Sequence, residues 1–331
     1  MKVNFQTLIA IRVLLRLVGL ILVLFVGFVI LFFLPSNTFD GIVTRSPISN
    51  LWKAPDLKLI PNGESGKLIA YGRELIRNTS YYLGPKGSVQ PMSNGMNCQN
   101  CHLNAGTKYF GNNFSAVASN YPKYRSRSGS IESIEKRVND CFQRSLNGSA
   151  LDSTSLEMRA IVAYMQWVGK DVKKGESPDG AGLTALPFLH RAASPEIGKI
   201  VYQQNCISCH GDHGQGLVTT IDSVRHNPPL WGEHSYNAGA GLYRLSRLAA
   251  FVKVNMPLGA TFTLPLLSDE EAWDVAAYVS TMPRPKYNSD NDWPDISKKP
   301  FDHPFGPYAD SFSSDQHKYG PFDPILRSNK K

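Results

Sequence analysis

The sequence has no second long apolar run after residue 34, and it lacks the patterns typical of nucleic-acid-binding proteins. With 42% hydrophobic and 19% charged residues, the 331-residue chain has neither the polar bias of a disordered protein nor the apolar bias of a polytopic membrane protein. It has no helix-turn-helix pattern and no basic stretch interleaved with aromatics, so we expect no nucleic-acid partner. The length predicts about two globular domains.

Acidic side chains are scarce in the first half of the chain. Residues 40–178 carry 18 basic against 11 acidic side chains, whereas residues 179–284 carry 7 against 9. The formal net charge of +8 is therefore concentrated before residue 179. A basic surface of this kind suits nucleic acid, anionic lipid or a small anion, and the missing motifs argue against the first of these.

The one long apolar run covers residues 17–34 and follows Lys2, Arg12 and Arg16. A helix of this length measures about 27 Å, which is near the thickness of a bilayer core. Its basic flank places the N-terminus in the cytoplasm. The alternative is a cleaved signal peptide, although the run is long for one and no A-x-A site follows. We expect a protein anchored by a transmembrane helix on the periplasmic side of the inner membrane, or soluble in the periplasm if the segment is cleaved.

Cysteine is also scarce, and four of the five cysteines form two C-x-x-C-H motifs, at 98–102 and 206–210. Thiols three positions apart can reach the two vinyl groups of one porphyrin, with the adjoining histidine beneath the ring. A zinc site or a redox disulfide is the alternative, but neither requires the trailing histidine twice. We therefore predict two covalently attached haem c groups. The predicted attachment residues are Cys98, Cys101, Cys206 and Cys209, and the predicted proximal iron ligands are His102 and His210.

A repeated pattern surrounds the two motifs. Residues 154–157 and 268–271 are predicted capping boxes that open apolar helices, and each is followed at the same distance by Ala-Tyr. Upstream of the motifs, helices are predicted over residues 67–75 and 195–203, the latter with Ser194 as its N-cap. The pattern predicts a mainly α fold with two tandem cytochrome c-type domains.

Composition predicts the remaining boundaries. Residues 171–193 are rich in Gly, Ser, Pro, Ala and Lys and are typical of a linker. Residues 285–331 are rich in Pro, Asp and Asn but hold eight aromatics, which favours an extended tail packed on the domains over simple disorder. The predicted order is a cytoplasmic stub with a transmembrane anchor (1–39), a first cytochrome c domain with the active-site haem (40–178), a linker (179–193), a second domain with the electron-exit haem (194–284) and the tail (285–331).

The residue opposite each proximal histidine decides between electron transfer and catalysis. Met256 lies 22 residues before Tyr278, and Cys141 lies 23 residues before Tyr164, so the two positions correspond. We predict Met256 as a ligand of the second iron and Cys141 as a ligand of the first, with a buried inert cysteine as the alternative for Cys141. The alternatives to Met256, or its replacements in one redox state, are His213, His226, His234 and Lys253.

Five segments of the chain carry a family resemblance: Asn97–Gly106, Tyr121–Arg127, Arg137–Gly148, Asn255–Gly259 and Gly306–Asp310. They resemble the dihaem cytochrome c thiosulfate dehydrogenases, some of which run mainly as tetrathionate reductases. The resemblance extends from about residue 60 to the C-terminus. It implies His/Cys ligation at the first haem, His/Met or a related ligation at the second, and interconversion of thiosulfate and tetrathionate. Many relatives are soluble after signal cleavage, so the apparent anchor departs from the family pattern.

From these features we expect oxidative coupling of two thiosulfate dianions into tetrathionate at the first haem. Dianions repel each other strongly inside a pocket, so the catalytic site needs fixed cations. We predict Arg125, Arg127 and Lys123 in this role beside Cys141, because guanidinium binds oxyanions bidentately; a solvated surface loop is the alternative for these cations. Arg144 is predicted instead to support the helix that carries Cys141.

Electrons are expected to leave through the second haem, because methionine ligation raises a haem potential, and to pass to a small periplasmic cytochrome c. A membrane quinone is the alternative partner, which the anchor permits but no second apolar segment supports. Two rival functions are a non-catalytic dihaem electron-transfer cytochrome and a sulfur-oxidation cytochrome subunit acting on carrier-bound sulfur. A self-contained enzyme fits two haem domains in one chain better than either.

Overall fold

A computed structural model describes residues 17–22, 25, 51–217 and 227–328. The chain divides into two compact units, Met1–Pro47 and Ile48–Lys331. Within the described residues, which include only a short helical part of the first unit, no helix is both long and apolar enough to cross a bilayer. The rest of the predicted transmembrane helix, including residues 26–34, lies outside the described residues.

The second unit is mainly helical, as predicted, and its two halves each contain a pair of long helices. The helices before residue 170 are α1 (Glu64–Arg77), α2 (Thr79–Leu83), α3 (Leu103–Gly106), α4 (Val117–Asn120), α5 (Ile134–Arg144) and α6 (Leu156–Val168). The later helices are α7 (Pro195–Asn205), α8 (Ile207–His210), α9 (Leu245–Asn255), α10 (Asp269–Thr281), α11 (Ser314–Tyr319) and α12 (Asp323–Ser328). Short 3-10 turns cover Leu57–Leu59, Cys98–Asn100, Gly241–Tyr243 and Ile296–Lys298.

One antiparallel hairpin interrupts the helices of the first half. Its strands are β1 (Lys123–Arg125) and β2 (Ser130–Glu132), with Tyr124 opposite Ile131. The buried Glu132 side chain accepts a hydrogen bond from Ser128 at 2.7 Å, inside the connecting turn. The predicted cationic segment 123–127 therefore forms one strand and part of the turn of this hairpin, whose hydrogen bonds hold it in place.

The same helix crossing occurs in both halves. Helices α1 and α6 pack together in the first half, and α7 and α10 pack together in the second. A Cβ atom on Gly72 would collide with the backbone of α6 at Ala160, and one on Gly198 would collide with the backbone of α10 at Asp274. Both crossings therefore need glycine, which lets the helix backbones touch. The internal repeat deduced from sequence is thus a repeat of packing geometry.

Helix capping agrees with the sequence at two of the three helix starts for which a cap was predicted. Ser194 caps α7, and Ser268 with Glu271 forms the predicted capping box of α10. Helix α1 is present and extends beyond the predicted residues 67–75. The capping box predicted at 154–157 is wrong: the hydroxyl of Thr154 is bonded to Asp152 at 2.9 Å, and α6 begins one residue later with Ser155 as its cap.

Among the described residues, two large hydrophobic cores fill the unit, one for each half, beside a small third cluster of Tyr236, Ala240 and Tyr243. The first contains the buried α1 and α6 residues, and the second is built around Trp273 of α10. Residues from beyond position 300 complete the second core rather than lying free on the surface. These residues are Phe301, Phe312, Tyr319, Phe322 and Ile325.

Buried polar contacts join the two halves. The Asn94 amide donates to the carbonyl of Ser235 at 2.9 Å, and the Asn237 amide donates to the carbonyl of Gln143 at 2.8 Å. The backbone N–H of Asn237 also donates to the carbonyl of Arg144 at 3.0 Å. The end of α5 is therefore held by the second half of the chain.

Candidate active site

A cavity of about 330 Å³ lies in the first half, and the predicted haem residues of that half surround it. Its wall contains Cys98 and Cys101 from the 3-10 turn, His102 at the end of that turn, and Cys141 from α5. His102 and the thiol of Cys141 face each other closely enough to interact. The structure therefore brings together a pair of attachment thiols and a pair of candidate axial ligands.

The orientation of His102 is fixed by its second ring nitrogen. Its Nδ1 lies 2.6 Å from the carbonyl oxygen of Asn112, which can only accept a hydrogen bond, so Nδ1 must donate. This leaves Nε2 unprotonated and available to a metal, the usual state of a ligating histidine. The buried hydroxyl of Tyr164 donates to the carbonyl of Ala105 at 3.0 Å and steadies the turn that follows.

The three thiols of this cavity differ in acidity. Burial raises the pKa of Cys98 to about 11 and that of Cys101 to about 12. Burial also opposes ionisation of Cys141, but the guanidinium of Arg137, followed by His102, outweighs it and lowers the Cys141 pKa to about 7. Of the three, Cys141 is the thiol that its surroundings prepare to be a thiolate, the form that binds metal.

The predicted cations do not all reach the cavity. Arg125 lines it, and its Nε lies 3.9 Å from the carboxylate of Glu132. Lys123 is exposed at the start of β1 and does not line the cavity. Arg127 is not in the wall either; it donates to the carbonyl of Gly239 at 3.4 Å and stacks 5.5 Å from the ring centre of Trp293.

Arg137 is the cation that sequence reasoning missed. It lines the cavity, and the Cys141 thiolate is the largest influence on its guanidinium, raising its pKa further. Arg137 stands four residues before Cys141, and residues at this spacing lie on the same face of a helix. The signal was therefore in the sequence, within the segment Arg137–Gly148 that carries the family resemblance.

Arg144 has the structural role that was expected for it. Its guanidinium forms two hydrogen bonds of 2.7 and 2.8 Å with the carboxylate of Asp292, and it lies 4.4 Å from the ring centre of Tyr287. Burial alone would lower the pKa of Arg144, but Asp292 raises it. The tail thus neutralises the last charge of α5, and Arg144 is not in the cavity wall.

A second cavity, of about 360 Å³, contains the matching residues of the second half. Cys206, Cys209, His210 and Met256 all line it. The Nδ1 of His210 lies 2.9 Å from the carbonyl of Pro228, so the tautomer argument made for His102 applies here too. Burial lowers the pKa of His210, which favours the neutral form that binds metal.

The alternatives to Met256 that the structure describes lie elsewhere. The Lys253 ammonium lies 2.7 Å from the carbonyl of Leu267 and 2.7 Å from the carboxylate of Asp269, and it does not line the cavity. His213 and His234 are exposed and are not in the wall. His226 lies outside the described residues.

The two cavities share part of their walls. Met96, Asn97 and Cys101 line both. The second cavity also contains two buried polar atoms without a hydrogen-bond partner among the described residues, the hydroxyl of Tyr236 and the Oδ1 of Asn255. Unbonded thiols at the motif spacing and a histidine with Nε2 available fit a covalently bound porphyrin. The donor sets therefore fit two haem c groups.

The comparisons with known proteins agree with this arrangement. The family model described as "SoxA/TsdA, cytochrome c domain" matches residues 88–173, and the one described as "Cytochrome c" matches residues 195–283. Two cytochrome c domains with C-x-x-C-H cysteines imply haem c, so the class is a dihaem c-type cytochrome.

Sequence similarity to proteins of known activity identifies the family. The chain is 38% identical over 243 residues to a thiosulfate dehydrogenase of Psychrobacter arcticus, covering 73% of this chain and 71% of the relative. It is 38% identical over 237 residues to one of Allochromatium vinosum, covering 70% and 84%. The chain belongs to the thiosulfate dehydrogenase family of dihaem cytochromes c, which confirms the resemblance in its motifs.

A solved structure is similar as well. It is the thiosulfate dehydrogenase (TsdBA) of Marichromatium purpuratum in its as-isolated form, with a TM-score of 0.64 and 30% identity over 70% of this chain. The present chain spans about half of that protein, 49% of its length.

Proposed function

We propose that the protein oxidises two thiosulfate dianions to tetrathionate at the first cavity, where Cys141 and His102 would hold the iron of a haem. The observation that carries the proposal is the placement of a thiol with a lowered pKa opposite a histidine, in a wall that also contains two guanidinium groups. A non-catalytic relay needs neither the thiolate nor the cations.

Arg125 and Arg137 are the anion-binding residues of this proposal. Both line the first cavity, and each offers planar donors that match the oxygens of a sulfonate-like group. Two fixed positive charges offset the Coulomb repulsion between the two dianions, which is strong in a site of low dielectric constant. Cys141 interacts with both Arg137 and His102, so a sulfur atom of an anion bound by Arg137 would lie near the thiol.

The reaction joins two sulfur atoms in a new S–S bond and releases two electrons. When bound, the two haems supply two one-electron acceptors, so one turnover leaves no unpaired electron on the substrate. The shared wall residues Met96, Asn97 and Cys101 separate the two cavities by a single layer of protein. In the second cavity His210 and Met256 would hold the iron. Cys98 and Cys101 are the proposed attachment residues of the first haem, and Cys206 and Cys209 those of the second.

Protein-film voltammetry of the purified holoprotein with thiosulfate, and separately with tetrathionate, tests the proposal. We expect a catalytic current with free thiosulfate, and the ratio of the two currents gives the preferred direction. Current only with a thiosulfonate-loaded carrier protein would favour the carrier-dependent rival, and two reversible haem waves without catalytic current would favour a simple electron-transfer cytochrome.

Electron exit is proposed from the second cavity to a small basic cytochrome c on the periplasmic side of the membrane. Residues 179–284 carry an excess of acidic side chains, which favours a basic partner. Reduction of such a cytochrome by protein plus thiosulfate should slow as salt is added. A rate independent of ionic strength, together with a Met256→Ala variant as fast as the parent, would contradict this exit.

A further inference from the structure

Asn255, the last residue of α9, connects the two halves of the chain. Its side chain is 4% exposed, and its amide nitrogen donates to the carbonyl of Phe251 at 3.1 Å and to the carbonyl of Phe110 at 3.0 Å. Both partners are acceptors, so the nitrogen must face them and Oδ1 is left without a partner among the described residues. The orientation of the Asn255 side chain is therefore fixed by the hydrogen bonds of its amide nitrogen.

The Phe110 end of this contact belongs to the loop that orients His102. Two residues further on, the carbonyl of Asn112 accepts the hydrogen bond from His102 Nδ1. Phe110 and Asn112 have φ values of +53° and +54°, a left-handed conformation that side-chain-bearing residues rarely adopt. Such a loop keeps its shape only because its surroundings hold it.

Four contacts with residues far along the chain hold the loop. The N–H groups of Phe110 and Asn112 donate to the carbonyls of Gly180 and Gly182, at 2.7 and 3.0 Å. On the other side, the Phe110 carbonyl is bonded to Asn255, and its ring lies 4.4 Å from that of Phe262. The second half of the chain therefore supplies half of the support for the His102 loop, and it does so from the residue directly before Met256.

We infer that Asn255 is a positioning residue that couples the axial ligands of the two haem sites: it ties the Met256 segment to the Phe110–Asn112 loop, and through that loop to His102. A change in how Met256 is held moves Asn255, and the Phe110 carbonyl follows because it shares the amide hydrogen bond. The orientation of His102 then responds through Asn112. The inference rests on the proposed ligation by His102 and Met256 and is independent of the substrate.

The test compares two asparagines that line the same cavity. Asn205 also lines the second cavity, and its amide donates to the carbonyl four residues earlier, Val201, at 3.1 Å, as Asn255 does to Phe251. Only Asn255 reaches the first half. The matched variants are therefore Asn255→Leu and Asn205→Leu, prepared as holoproteins and studied without substrate.

Each variant is studied by two kinds of measurement, hydrogen exchange and haem spectroscopy. Hydrogen exchange measures the amides of Phe110 and Asn112, where Asn255→Leu should speed exchange by about tenfold, the scale of one lost buried hydrogen bond. Spectroelectrochemistry and electron paramagnetic resonance follow both haems, and Asn255→Leu should shift the signals and potentials of both. Asn205→Leu should leave the loop amides and the first haem unchanged.

A shift confined to the second haem in Asn255→Leu, or an equal shift of the first haem in Asn205→Leu, would overturn the coupling. If Asn255→Leu does not assemble, Asn255→Asp is used instead, because it keeps the shape but turns a carboxyl oxygen toward two carbonyls. A parent protein without a methionine-ligation signature would overturn the proposed Met256 ligation, and the hydrogen-exchange arm would still decide whether Asn255 holds the loop.

Discussion

The two cavities contain the same attachment motif but differ in every other respect that concerns charge. The first has two arginines and an acidic thiol in its wall, whereas the described residues that line the second include no Lys, Arg, Asp or Glu. An uncharged wall of apolar and amide side chains suits electron transfer, because it changes little when one electron enters or leaves. A charged wall suits the binding of anions. The comparison shows how one fold, repeated in one chain, supports two tasks through a few wall residues.

Of the variants considered, replacement of Cys141 in the first cavity should have the largest effect, because it removes the ionisable thiol that distinguishes the two cavities. Cys141→Ser should lower turnover by at least about 10³-fold, the scale of losing a residue at the reacting centre. Both haems should stay attached, since no attachment thiol changes, and the first haem potential should rise. Cys141→Met is the matched control, because it makes the first ligand set equal to the second and should also be inactive. Full activity in Cys141→Ser, measured by voltammetry with thiosulfate, would contradict the proposed site.

Removing the ion pair between Arg144 at the end of α5 and Asp292 in the tail should give the next largest effect, a loss of stability. The side chains of Arg144 and Asp292 are 9% and 12% exposed, so Asp292→Asn leaves a buried guanidinium without its counter-charge. We expect a loss of about 3–5 kcal/mol in the free energy of unfolding. Denaturation in urea measures it, and Asp290→Asn, an exposed neighbour, is the control. Equal stability of the two variants would show that the contact is not needed to hold α5.

The free energy of unfolding should depend on pH through His303, a buried histidine near Arg127 and Arg244. Burial, followed by Lys299 and with smaller contributions from Arg127 and Arg244, lowers the pKa of His303 to about 4 from its ordinary 6.5. Between these values the unfolded chain binds the proton and the folded chain does not, so stability from this group is lost as pH falls from 6.5 to 4. The change is about 3 kcal/mol.

His303→Gln should remove this part of the slope, and the exposed His190→Gln is its control. Urea denaturation at several pH values between 4 and 6.5 provides the measurement. An unchanged slope in His303→Gln would mean that His303 takes up its proton in the folded state as readily as in the unfolded one.

The anion-binding cations should give effects confined to substrate turnover. Arg137→Ala and Arg125→Ala should each lower kcat/KM for thiosulfate by about 10- to 100-fold, the scale of one hydrogen bond to a charged group. Lysine at either position should restore part of the loss, since it keeps the charge without the planar geometry. Loss of haem attachment in either alanine variant would indicate a structural role instead.

The remaining two predicted cations should matter less. Lys123 is exposed and Arg127 is directed toward Gly239 and Trp293, so neither contacts an anion held in the first cavity. Lys123→Ala should change kcat/KM by about twofold at most, as expected for an exposed side chain. Arg127→Ala should act mainly on stability. A loss in either variant as large as that of Arg137→Ala would return the residue to the binding site.

The parts of the site that covalent chemistry dictates could be predicted from sequence. The thiol spacing and adjoining histidine are local, and the predictions of Cys141 and Met256 rested on nearly equal distances, 23 and 22 residues, to the tyrosines of α6 and α10. The contacts of Arg144 with Asp292 could not be predicted in this way, because they join residues 148 positions apart. Nor could the separation of Arg125 from Arg127: two residues at this spacing would share a face of a continuous strand, but β1 ends at Arg125 and Arg127 lies in the turn.

The contribution of residues 301–325 to the second core has a consequence for maturation. A chain is synthesised from its N-terminus, so the core around Trp273 lacks Phe322 and Ile325 until some forty residues beyond α10 have emerged. Both are almost fully buried once the fold is complete. Until then the second core is incomplete, whereas the first core contains no residue beyond position 168 and can form without them. The half that carries Cys98 and Cys101 can therefore fold before the half that carries Cys206 and Cys209.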